Sequence, residues 1–342
     1  MKGRINLLRK RLRMSNLQPK FSANQIKDLS RVNGAIGIVE VMLVWGTIIS
    51  TWALARIFHS ALIYVISILI VASRQSALGN LTHEAWHGLC FKSRKLNDWI
   101  GAWLYSYPLG IPYYHDRLRH LRHHRLVGEK TDPDRVNYSN IDRETPLRLI
   151  LFLIGRLLGS LLVKTVWSVI SCGGMPIQIQ AQDEFAPEKP LSVKSEFLRI
   201  FLTQILLALG MSIFLGWWGY LVLWLFPLST ICAFFNNFRA FVEHSAGSDL
   251  AGGDERLSDF QANTFERVFV SPCNFHFHAL HHSCPTVPYY RLPLAKHMLV
   301  SVYGEYPLRC SPSYGLSFLK HLSALNCQTA EKRSKSNRDY PF

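Results

Sequence analysis

From residue 200 to residue 238 the chain contains no Asp, Glu, Lys, Arg or His. About 20 apolar residues cross a bilayer core, so this stretch predicts two crossings, with a turn at Gly216-Trp217-Trp218-Gly219 whose aromatic rings suit a membrane interface. Two earlier runs are similar. Residues 32–57 hold only Glu40 and Arg56, and residues 57–73 hold no charge apart from a titratable His59. With 49% hydrophobic and 18% charged residues, the pattern predicts an all-α, multi-pass membrane protein. Its four transmembrane helices are expected at about 32–55, 58–76, 199–216 and 218–237.

The remaining segments are read against those spans. Residues 1–31 form a basic arm, with nine Lys or Arg against Asp28, and this places the N-terminus on the cytoplasmic side. The arm is expected to be a solvated tail. Two pairs of crossings then return each intervening segment to that side. Trp99–Tyr114 is apolar but short and broken by Pro108 and Pro112, which predicts a membrane-surface or re-entrant segment. Leu147–Ile170 carries Arg148, Arg156 and Lys164 eight residues apart, which predicts one helix lying in the interface. The membrane domain is bounded at 32–300, and residues 301–342 are read as a cytoplasmic tail. The net charge of +15 has no nucleic-acid motif beside it and is assigned to membrane orientation. Seven cysteines form no CxxC pair, which favours reduced thiols.

Eight of the 14 histidines fall in three five-residue windows: His83 and His87; His120, His123 and His124; His278, His281 and His282. On a helix, residues three and four apart share a face, so each window aims its imidazoles at one region. Imidazole suits Fe, Zn, Cu and Ni. Eight such ligands exceed the three or four taken by one zinc, which implies two metals. His59, His115, His297 and His321 read as interfacial or structural. The first window, His83-Glu84-Ala85-Trp86-His87, also fits the HExxH of zinc proteases, with Glu84 as general base; that reading leaves the other two windows idle. A metal transporter or haem carrier would hold its histidines within the spans, and the run 200–238 has none.

The three windows resemble the histidine boxes of the integral-membrane fatty acid desaturase and hydroxylase superfamily. The resemblance covers roughly residues 40–300 and rests on Thr82-His83-Glu84-Ala85-Trp86-His87-Gly88, on His120 to His124 with Thr131-Asp132-Pro133-Asp134, and on Asn274 to His282 with Val287 to Pro293. It implies a diiron centre in a cytoplasmic helical cap, O2 as co-substrate, and removal of two hydrogens from an acyl-lipid chain. Hydroxylation or ketolation of a lipid, alkane or carotenoid is the alternative. It also implies a ninth ligand, matched here by His244, and a water-bridged asparagine, for which Asn274 is the candidate and Asn236 and Asn237 are rivals. His276 is left outside the ligand set. Glu84, Asp132, Asp134 and Glu243 are expected to orient ring nitrogens through hydrogen bonds. Arg117, Arg119, Arg122 and Arg125 would form a basic patch for a lipid head group or an acidic electron donor. No nucleotide, iron–sulfur or haem motif is present, so an external ferredoxin or cytochrome b5 is implied, at a bacterial inner membrane or endoplasmic reticulum.

Overall fold

The computed structural model describes residues 21–135, 145–172, 192–244 and 257–336. The basic stretch before residue 21, the polar loop at 173–191 and the chain beyond 336 lie outside them. The fold is helical apart from one two-residue parallel strand pair, β1 (Asp259–Phe260) with β2 (Cys310–Ser311).

Helix α1 (Ala23–Leu29) opens with a capping box between Ser22 and Gln25. Phe21 and Leu29 are buried, so the end of the arm docks on the molecule instead of trailing in solvent. Four helices are long and apolar enough to cross a membrane: α1 running on into α2 (Gly34–Phe58), then α3 (Ala61–Trp86), α8 (Val193–Leu215) and α9 (Leu221–His244). Between them lie α4 (Arg94–Ile100), α5 (Tyr113–Leu126), α6 (Pro146–Leu157) and α7 (Ser160–Cys172). After α9 come β1, α10 (His278–Ser283), α11 (Leu292–Tyr303), β2 and α12 (Tyr314–Ser336).

In lipid, apolar faces gain little by meeting one another, so spans need polar contacts and close packing. Here polar side chains bond to backbone carbonyls exposed by irregular turns. α9 begins with π-helical turns at Leu221–Leu225 and Leu228–Cys232. Gln75 of α3 donates to the Trp224 carbonyl (2.8 Å) and Trp52 of α2 to the Leu223 carbonyl (3.4 Å). The segment after α4 also winds as a π-turn, Gly101–Ser106, then a 3-10 turn, Tyr107–Leu109. Trp45, Gln204 and Trp224 donate to its carbonyls at Leu104, Tyr107 and Pro108. Residues 101–109 are therefore seated among the spans, and Pro112 then starts α5.

Gly101 allows that segment to press against α3. A Cβ there would lie 2.6 Å from the Cβ of Ala85 and 2.7 Å from the Tyr113 ring. Overpacking of this kind costs about 1–3 kcal/mol. Gly101→Ala is expected to lower the thermal midpoint of the purified protein, and the displaced Ala85 lies between the two histidines of the first box.

Two expectations are corrected. Residues 147–170 do not form one helix: α6 and α7 meet at a 75° bend around Gly159, whose φ of +84° is a left-handed conformation that glycine adopts without strain. The eight-residue spacing of the charges therefore does not describe a single helical face. Residue 300 is also no boundary, because it lies inside α11. Beyond it, β2 pairs with β1, and Tyr314, at the start of α12, is fully buried.

Candidate metal centre

Each box is positioned by a different element. His83 lies in the last turn of α3, and His87 caps its end with still-helical angles. His120, His123 and His124 all lie on α5. His278, His281 and His282 belong to the short α10, and His244 is the last residue of α9. These nine rings converge in two neighbouring groups. His83, His87, His120, His124 and His281 each offer a nitrogen within 4.8 Å of the others; His123, His244 and His282 form a second such set, and His278 joins His244 and Glu243 in a third. The first group passes into the second through His124 and His282, which stack at 4.0 Å.

The nitrogen contacts are not a hydrogen-bond network. His120 Nε2 lies 2.9 Å from both His87 Nε2 and His124 Nε2, and His244 Nε2 lies 3.2 Å from both His123 Nε2 and His278 Nε2. An imidazole nitrogen has one in-plane site, holding either a proton or a lone pair, so it cannot bond to two such partners. Two nitrogens each about 2.0–2.1 Å from one metal ion would stand roughly 2.9–3.4 Å apart, which matches these separations. Both nitrogens of His83 and of His282 are buried with no hydrogen-bond partner, an arrangement that a metal ion would satisfy. Burial pushes His87 down to about 3 and holds His120, His124, His278, His281 and His282 well below the usual histidine range, aided in most of them by the neighbouring rings. The rings are thus neutral, the form that binds metal.

The second group is the better braced. Asp132 lies 2.8 Å from His123 Nδ1 and also accepts from the backbone of Asp134 (2.9 Å). The Ala240 carbonyl lies 2.8 Å from His244 Nδ1. In each case a proton on Nδ1 leaves the Nε2 lone pair facing the cluster. Glu243 is 3.6 Å from His278 Nδ1 and accepts from the Tyr314 hydroxyl at 2.8 Å. Arg239 lies 3.6 Å from the same carboxylate, stacks on Phe275 and donates to Asn80. Glu84 lies 3.9 Å from His83 Nδ1 and accepts from the Tyr289 backbone (3.0 Å). It therefore faces the back of the ring, away from where a proteolytic water would sit.

Other expected residues lie elsewhere. Asp134 sits 3.3 Å from Arg119 instead of against a histidine. Arg117 is buried, with its guanidinium 3.5 Å from Asp98, so it cannot face a docking partner. Arg119 pairs with Asp116 and Asp134; among these four arginines, Arg125 is the exposed one. Asn274 donates to the Tyr289 carbonyl (3.3 Å), and it and Cys273 are consecutive left-handed residues. Both line a small cavity with Phe277, His278, His281 and Leu292. Asn236 and Asn237 bond within α9, to the Cys232 thiol and the Ala233 carbonyl. His276 stays outside the groups, and His115 is held by the buried Glu196, which also accepts from the first amides of α5. Cys90, Cys232, Cys273, Cys284 and Cys310 are free.

Two supports carry no sequence signal. Asp259 accepts from the backbone of Ala279 (2.7 Å) and Leu280 (3.2 Å), capping α10, and the Tyr306 hydroxyl donates to its other oxygen. Tyr314 reaches Glu243 from the far end of the chain. Neither has a motif around it, and both act across long sequence separations.

Nine neutral imidazoles on apolar helices, gathered at one end of a set of membrane-length helices, define a membrane oxidoreductase of the histidine-box kind. The chain belongs to the fatty acid desaturase family, whose sequence model matches residues 59–314. It is an oxidoreductase acting on fatty acyl chains and integral to a membrane. Over 286 residues it is 26% identical to the sn-1 acyl-lipid omega-3 desaturase (ferredoxin) of Synechocystis sp., spanning 76% of this chain and 74% of that protein.

Proposed function

We propose that this chain is an acyl-lipid desaturase whose nine histidines hold two ferrous ions, His83, His87, His120, His124 and His281 one of them, His123, His244, His278 and His282 the other. Convergence of buried, neutral nitrogens at metal-ligand separations carries the reading. When bound, the iron pair supplies the oxidising power that breaks an unactivated C–H bond with O2. Overall, one CH2–CH2 unit loses two hydrogens, O2 takes up two electrons and two further protons, and a double bond and two waters result.

The protein's own contribution is positioning and exclusion of water. Asp132 and the Ala240 carbonyl hold ring tautomers, and Glu243 stands behind His278. The cavity touches one histidine from each group, His278 and His281, and is walled by Phe275, Phe277, Tyr289 and Leu292. An acyl methylene would find an apolar surface there, beside both ions. The head of the molecule faces the cytoplasm in this reading, where a ferredoxin or cytochrome b5 delivers electrons. The ferredoxin in the relative's name favours the first donor.

Expression in a host lacking the activity, with double-bond positions in its lipids determined by mass spectrometry and metal measured in the purified protein, tests this. New double bonds and two irons per chain are expected. Hydroxylated chains would turn the reading to the hydroxylase alternative, and one zinc per chain would sink the diiron assignment. Arg125, exposed on α5, is the candidate contact for an acidic donor. Arg125→Glu is expected to lower donor-supported turnover severalfold while leaving iron content unchanged; an equal rate over a range of donor concentrations would remove it from the docking surface.

A further inference from the structure

The bent pair α6–α7 contains no acidic residue between Pro146 and Cys172, only Arg148, Arg156 and Lys164. Arg156 is unlike the others. It is half-buried, with its guanidinium carbon 4.8 Å from the centre of the Phe152 ring. Its Nε and Nη1 are buried, and among the described residues neither has a hydrogen-bond partner. A guanidinium presents its donors as a rigid fork, and a buried charged donor without an acceptor is more costly than the roughly 1–3 kcal/mol of a neutral one. Arg239, the comparable guanidinium over Phe275, meets both Asn80 and Glu243.

The surroundings give the missing acceptor a character. Leu149 and Leu153 pack with Phe241 and Val242 near the metal-bearing end of α9, whereas Gly159 lies against the Thr230 methyl. Two residues on, Cys232 meets Ser76 of α3 at 3.5 Å. Ser76 stands just past Arg74, where the charge-free part of α3 ends. The bend therefore sits at the rim of the apolar layer. Leu157, Leu158, Leu161 and Trp167 are exposed around it. A lone fork of N–H donors at that depth, flanked by exposed apolar side chains, fits an amphiphile with an anionic head.

We propose that Arg156 binds the phosphate of a membrane phospholipid, with the lipid's chains against Leu158, Leu161 and Trp167. Two N–H groups of one guanidinium suit two oxygens of one phosphate, and the ring of Phe152 holds the fork from behind. The ligand is a lipid of the surrounding leaflet, and the site is separate from the one assigned to the reacting acyl chain.

Native mass spectrometry of the full-length protein in detergent, titrated with phosphatidylglycerol or with an uncharged diacyl galactolipid of the same chains, tests the proposal. The first phosphatidylglycerol is expected to bind at least tenfold more tightly than the galactolipid. Arg156→Gln should erase that preference, while Arg148→Gln and Lys164→Gln keep it. A preference retained by Arg156→Gln, or lost equally in all three variants, would overturn the site in favour of diffuse basic attraction. Should Arg156→Gln fail to purify, Arg156→Lys serves: it keeps the charge and loses the fork, so a severalfold loss supports the site and no change refutes it. Neither readout depends on desaturation, so the result stands apart from the assigned activity.

Discussion

Replacing His281 with alanine is expected to abolish desaturation, with a loss exceeding the roughly hundredfold that removal of a residue merely behind a ligand can bring. His281 Nε2 lies 3.3 Å from His124 Nε2 within the five-histidine group, and its ring forms part of the cavity wall. Iron content should fall in parallel. Stability supplies a sharper test, because the sign differs between forms of the protein. In the metal-free protein the ring is a buried polar group whose Nδ1 has no partner, so its removal relieves a desolvation penalty. The metal-free variant should melt no lower than the metal-free parent, whereas the iron-loaded parent should lose its metal-dependent stabilisation. His297→Ala, on the exposed face of α11, is the matched control and should change neither activity nor metal. A His281→Ala protein that keeps full iron and full turnover would remove this residue from the ligand set.

The second large effect is expected at Asp259, far in sequence from any box. Asp259→Ala leaves two amides of α10 and the Tyr306 hydroxyl without their acceptor in a buried place. Loss of a cap costs about 1 kcal/mol, and each stranded buried donor about 1–3 kcal/mol. A total of roughly 2–5 kcal/mol follows, a large share of a domain's stability. α10 has only six residues and carries three ligands, so it cannot hold its own geometry, and turnover should fall with the thermal midpoint. Asp259→Asn keeps an acceptor oxygen for the amides and should stay within about 1 kcal/mol of the parent. If alanine and asparagine behave alike, the capping account is wrong.

The parts legible in the sequence were those written in short-range patterns. Charge-free runs gave the four membrane-length helices, because a bilayer admits little else of that composition. Helical spacing gathered the rings within each box. The meeting of the boxes is tertiary: His123 and His244, or His124 and His281, are brought together by packing that no local period encodes, and the notion that they meet came from resemblance. Where a local rule was stretched, it failed. The spacing of Arg148, Arg156 and Lys164 described a helical face only until Gly159 broke the helix. Arg117, within the basic cluster of α5, turned inward to Asp98 because α5 packs beside α3 and the segment 101–109. Asp259 and Tyr314 were invisible for the same reason, being ordinary residues whose partners lie across the fold.

The π-helical turns of α9 have a consequence for how this protein can change. A π-turn holds one residue more than the α-turn it replaces. Deleting any one residue between 221 and 232 would let the chain relax to an α-helix of the same path, and everything downstream would rotate by about 100°. His244, at the end of that helix, would swing away from His123 and His278, while every side chain of the site kept its identity. The loop at Gly216–Gly219 carries no such phase, since rotation there is taken up before the helix begins. Length, as much as residue identity, is therefore under constraint in this half-turn of membrane helix, and a homologue one residue shorter there would need a compensating insertion before residue 244.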